Sequence, residues 1–121
     1  MVSTETGKSG LALLSCGVTN LYPKYCGIGS GSGAVLNTNI ALIAEVGSRT
    51  DYTTRDVSIQ KEVTWVHDFS AVSMSGINLK EFGIFDTNIA ASGTMFHREG
   101  FSSVTFDGTN ELQTQVTFKY F

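Results

Sequence analysis

Two cysteines and one proline are all that this chain of 121 residues carries of either type. A pair of thiols, Cys16 and Cys26, is too few for a disulfide framework and too few for a four-ligand zinc site. Two partly buried thiols, a bridge closing the short loop between them, or a bridge to a neighbouring subunit remain open. The lone proline, Pro23, keeps Tyr22 extended and closes a turn signal that begins at Asn20.

Charge is also scarce. Charged residues make up 16% of the chain, against roughly 25% in an average soluble protein. The polar surface must therefore come from Ser, Thr, Asn, Gln and Gly. Such a surface suits a protein that packs against neighbours, where an unpaired charge is costly to bury. The formal net charge is −3. Lys and Arg are scattered singly, which argues against direct nucleic-acid binding. No apolar run approaches the ~20 residues that span a bilayer, so no membrane partner is expected. The apolar piece Leu11–Leu14, preceded by Glu5 and Lys8, is too short for a secretory signal.

The motifs of common enzymes are missing too. H-E-x-x-H, H-x-H and paired Cys/His ligand spacings do not occur, so neither metal nor cofactor is expected. G-x-S-x-G is absent, because Ser30 and Ser32 lack a glycine two residues on both sides. Glycines at 27, 29, 31 and 33 evoke a phosphate cradle. No Lys-Ser/Thr follows them, and no βαβ unit surrounds them. They read as a flexible surface loop with positive-φ positions. His67 and Asp68 are adjacent in a strand and point to opposite faces. His97 could pair with Asp86 or Asp107 as a base and its orienter, but no spacing requires it. Glu81 and Asp86 fall on opposite faces by parity. Glu45–Arg49 and Glu81–Arg98 read as structural ion pairs on a sheet rim. The chain is therefore expected not to be an enzyme.

What is present is alternation. From Glu111, Leu112, Thr114, Val116, Phe118 and Tyr120 share one face. Gln113, Gln115, Thr117 and Lys119 share the other, so this is a strand with one dry side. The turn Asp107–Asn110 before it is rich in residues that hydrogen-bond their own backbone. Val63, Trp65, His67 and Phe69 share a face in a second strand. Further strands are expected at 24–28, 52–59, 79–86, 94–98 and 101–106. Phe82 and Ile84 face inward in the third of these. Residues 39–46 fit either helix or strand, as do 11–18. Ser48–Asp51 breaks the pattern, 70–78 connects, and 87–93 turns. The expected fold is all-β: an antiparallel β-sandwich or roll of six to eight short strands with at most one short helix. Residues 1–20 form an N-terminal arm, and 21–121 a single β domain.

Four pieces in order carry a resemblance. They are Lys24–Ser32 (KYCGIGSGS), Ala44–Arg49 (AEVGSR), Leu79–Asp86 (LKEFGIFD) and Gly93–Arg98 (GTMFHR). Together with the closing alternating strand, this order resembles small virion proteins of tailed bacteriophages. The third piece is similar to a signature in the N-terminal domain of tail-collar fibre proteins. The resemblance implies a non-enzymatic structural protein of the virion, assembled in the host cytoplasm and placed at the neck, collar or tail. It would contact copies of itself and other virion proteins. A capsid decoration (cement) protein and a carbohydrate-binding receptor module are the alternatives. Candidate assembly contacts are Lys8 in the arm, Gly29, Gly31 and Gly33 in the glycine loop, and Lys119 and Phe121 at the last strand's end.

Overall fold

The computed structural model describes residues 2–4, 7–9, 22–36 and 38–119. Eight strands lie among them: β1 (Val2–Ser3), β2 (Tyr25–Gly29), β3 (Glu45–Asp51), β4 (Thr54–Asp56), β5 (Glu62–Phe69), β6 (Asn78–Phe85), β7 (Met95–Thr105) and β8 (Leu112–Lys119). They form a five-stranded sheet in the order β1-β7-β6-β2-β3 and a three-stranded sheet in the order β4-β5-β8. Every pairing is antiparallel. Among the described residues, helix occurs at 7–9 and at Ala71–Met74, where the Ser70 hydroxyl caps the Ser73 N–H at 3.2 Å. The fold is all-β, as the alternation and turn chemistry imply.

The two sheets face each other across one core. Cys26, Ile28, Ile84 and Phe96 come from the larger sheet, and Trp65, Phe69, Val116 and Phe118 from the smaller. Period-2 alternation places each set: on β8, Thr114, Val116 and Phe118 are buried while Gln113, Gln115 and Lys119 are exposed. Trp65, His67 and Phe69 point inward from β5, and Asp68 points out. The large sheet is also covered on its outer side. There Leu42 packs with Phe85 and Met95 in a second, smaller core. Both faces of β6 are thus buried, and its pattern lacks clean alternation.

Several expectations change. The segment 39–46 holds no helix, since strand begins only at Glu45. Ser48–Asp51 does not break the pattern but belongs to β3. A register shift opposite Cys26–Ile28, with Gly47 at φ +67°, lets the strand bulge and continue. The span 52–59 yields only the three residues of β4. The two short strands expected at 94–98 and 101–106 are one long strand, β7, because Glu99 and Gly100 pair with Phe82 and Glu81 instead of turning. Part of the arm is knitted into the sheet: Val2 pairs with Arg98 and Ser3 with His97. Thr4 is buried, its N–H donating to the Phe96 carbonyl and its hydroxyl to that of Met95. The remainder expected of the arm at 10–20, Cys16 included, lies outside the described residues.

The glycine run is likewise not a flexible positive-φ loop. Among the described residues, the glycines with positive φ are Gly47, Gly76, Gly93 and Gly108. Gly29 and Gly31 lack a Cβ for a different reason, which is room. A Cβ on Gly29 would sit 2.6 Å from Glu81 Oε2 and 2.7 Å from the Ala44 carbonyl. One on Gly31 would sit 2.4 Å from Ile43 Cβ. At Gly33 the nearest atom would be 3.8 Å away. Gly31→Ala and Gly29→Ala should each lower stability by about 3 kcal/mol through overpacking. Gly33→Ala should stay within about 0.5 kcal/mol of the parent. Urea denaturation of the three variants measures the contrast.

Candidate functional site

The densest polar cluster sits on the outer face of the five-stranded sheet, where glycines open a trough. Gly27 and Gly29 on β2 lie opposite Gly83 and Glu81 on β6. Glu81 lies opposite Gly100 on β7, and Gly83 opposite Arg98. With so few side chains competing for that face, one carboxylate and one guanidinium fill it.

Glu81 and Arg98 are both fully buried, with Arg98 Nε 3.1 Å from Glu81 Oε1. Glu81 also accepts three backbone N–H groups: Ile43 on Oε1 at 2.9 Å, and Ala44 and Gly31 on Oε2 at 2.8 and 3.0 Å. Arg98 Nη1 donates to the Ala34 carbonyl at 3.1 Å and to Asn39 Oδ1 at 3.3 Å. The loop from Ser30 to Ala44 is therefore bonded at both ends and in its middle. Apolar packing alone would not hold it. Leu42 is its one buried large hydrophobe among the described residues, worth about 2 kcal/mol. Ordering the loop's backbone costs about 1 kcal/mol or more per residue. Charge-assisted bonds to Glu81 and Arg98 add to its attachment.

A second ion pair lies beside the first. Arg49 grips Glu45 with two bonds, Nε to Oε2 at 2.8 Å and Nη2 to Oε1 at 3.0 Å. Its guanidinium lies 3.5 Å from the Phe85 ring centroid. Nη1 donates to the Thr87 and Ser92 carbonyls at 2.9 Å each. Glu45 Oε1 accepts the Ala91 N–H at 3.1 Å, where Ala91 adopts φ +58°. The expected ion pairs both form on the sheet's covered outer face: Glu45–Arg49 on the edge strand β3, and Glu81–Arg98 across the inner strands β6 and β7 instead of the rim.

The groups that could do chemistry are kept apart. His67 is fully buried, and its Nε2 donates to the Lys24 carbonyl at 2.8 Å. Burial lowers its pKa, with the Lys24 carbonyl pulling the other way. His97 Nε2 meets Glu99 Oε2 at 3.2 Å, and its ring stands edge-on to Phe118. Cys26 is a free thiol, sealed between the sheets, and burial pushes its pKa up to about 12. It forms no bridge. A cleft of about 310 Å³ is lined by Arg49, already held by Glu45, with Asp68, Phe69 and the small polar residues Ser48, Thr50, Ser70 and Ser73. Asp68 Oδ1 there is already bonded to Gln113 Nε2 at 2.9 Å, and no histidine lines the cleft. Among the described residues no three His, Cys, Asp or Glu side chains are grouped to hold a metal ion.

The candidate assembly contacts scatter. Lys8 is exposed on the helical turn at 7–9, Gly33 is exposed in the loop, and Lys119 is exposed at the end of β8, 3.6 Å from Glu62. Gly29 and Gly31 are buried by the chain's own loop and by Glu81, so they offer no surface to a neighbour. Phe121 lies outside the described residues. The loop clamp at Glu81 went unforeseen because its partners are backbone N–H groups. Its one trace in the sequence is a lone carboxylate on the glycine-bearing face of its strand, the face opposite to that of Phe82 and Ile84.

Two outcomes test this account. Glu81→Gln should cost about 3 kcal/mol or more, since it leaves Arg98 charged and buried without its counter-ion. The amides of Gly31, Ile43 and Ala44 should then lose hydrogen-exchange protection while those of β8 keep theirs. His67 contributes a pH dependence to stability. Its folded pKa lies below the unfolded value of 6.5, so the native state binds fewer protons. Stability is complete above about pH 6.5 and is lost as pH falls toward the folded pKa, at up to about 1.4 kcal/mol per pH unit. His67→Gln should flatten the change in urea midpoint between pH 7.5 and 5.5.

No protein-family model matches the chain, and no curated protein matches it.

Proposed function

We propose that this chain is a non-enzymatic structural component of a tailed-phage particle, assembling at the neck, collar or tail through contacts with its own copies and with other virion proteins. One observation carries the reading. The four segments that resemble phage virion proteins fall on β2, β3, β6 and β7, or on the turns beside them, and four of those strands' polar side chains bond one another or the loops around them. Glu45, Arg49, Glu81 and Arg98 all act within the chain. A motif spent on internal scaffolding fits a building block better than a reaction centre.

The surface agrees with that role. Leu36, Ile40 and Ile43 are each more than half exposed on the loop that covers the large sheet. Apolar side chains clustered on one loop suit burial against another protein. The carbohydrate-binding alternative fits less well. It needs an aromatic face open to a sugar ring; Trp65 is only 4% exposed, enclosed by Tyr22 and Tyr52, and Phe101, the exposed aromatic among the described residues, leans on Phe82.

The test is on particles. Mass spectrometry of purified virions should find the chain at fixed stoichiometry, and labelled antibody in electron micrographs should mark the neck or tail. Label over the capsid lattice would favour a decoration protein instead. A chain found only in the soluble fraction of infected cells would end the structural reading.

A further inference from the structure

A sandwich of open sheets exposes strand edges, and soluble proteins normally guard them by shortness, charge or bulges. Three edges here are guarded. β1 is two residues long. β4 has three residues, two of them the charged Arg55 and Asp56. β3 carries the Gly47 bulge. The part of β7 beyond Arg98 also lacks an outer neighbour, but its pairing with β6 is irregular there.

β8 is different. It runs eight residues, pairs with β5 in unbroken register from Leu112 to Lys119, and has no other neighbour among the described residues. It contains no proline and no glycine, and no charge before Lys119. Glu111 precedes it, exposed and in no ion pair among the described residues. One end of the edge therefore carries an unpaired carboxylate, and the other an exposed ammonium shared with Glu62.

That arrangement is self-complementary. Laid antiparallel against a second β8 about a two-fold axis at Gln115, Glu111 of each copy falls opposite Lys119 of the other. Leu112 falls opposite Phe118, Gln113 opposite Thr117, and Thr114 opposite Val116. Parity is kept, so polar side chains meet on the exposed face and apolar ones on the core face. Lys119 would then sit between its own Glu62 and the other copy's Glu111. We infer that β8 pairs with β8 of a second copy, joining two three-stranded sheets into one of six strands across the dimer. This inference rests on the assembly role proposed above and names the surface that performs it.

Charge reversal separates this edge from every other surface. Sedimentation equilibrium or multi-angle light scattering should find the native chain dimeric. Glu111→Lys and Lys119→Glu each place like charges opposite one another at both ends of the pairing, and each should weaken self-association by roughly tenfold or more. Mixing the two variants restores an opposite pair at each end, so the mixture should regain native affinity. Gln115→Cys should form a disulfide-linked dimer on mild oxidation, because that position meets itself. A native monomer at millimolar concentration overturns the inference. So does a dimer indifferent to both reversals, which leaves the assembly role intact and moves the contact elsewhere. Absence from particles bears on the assembly role alone.

Discussion

One carboxylate sets the order of this molecule. Glu81 accepts four N–H groups, three from the backbone of a loop and one from Arg98. A buried carboxylate with one partner would be a liability, because desolvation costs several kcal/mol. With its lone pairs so engaged it becomes an anchor, and the sheet beneath it must be made largely of glycine for the loop to come close enough. Gly29, Gly31, Gly83 and Gly100 follow from that demand, as does the placing of Leu42 against Phe85 and Met95. The neighbouring Glu45–Arg49 pair repeats the device, fixing the turn at 87–93 through two carbonyls and one N–H.

The large sheet is consequently a middle layer. Its inner face carries the core shared with β5 and β8, and its outer face carries the loop and both ion pairs. This explains why β8 shows clean alternation in the sequence, whereas β6 and β7 were legible as strand segments without a single period. β8 has one wet face, so Gln113, Gln115 and Lys119 alternate with Thr114, Val116 and Phe118. β6 is buried on both faces, so Leu79, Glu81, Gly83, Ile84 and Phe85 give no single period. β3 was hidden for another reason. Its bulge at Gly47 shifts parity mid-strand, and Ser48 and Arg49 then resemble a turn.

The ion pairs were legible as partners because charge is so sparse that few alternatives exist. Their burial was not, since parity says which face a residue occupies and nothing about what covers it. The glycine run misled for a related reason. Glycine is used both where φ must be positive and where a Cβ would collide, and spacing does not separate the two. The histidines were legible only in the negative: nothing in the spacing required a partner, and His67 and His97 serve the core.

The long reach of these contacts also dictates when the chain can fold. Thr4 bonds to Met95, 91 positions later, and Gly31 to Glu81, 50 positions later. As the polypeptide leaves the ribosome, β1, β2 and the glycine-rich loop emerge well before the strands that complete them. The amino-terminal half must stay unaggregated until β6 and β7 have been synthesised. Its low apolar density at Ser30–Gly33 and its polar Ser48–Thr54 stretch give it solubility during that wait, so part of this composition serves the nascent chain before it serves the finished one.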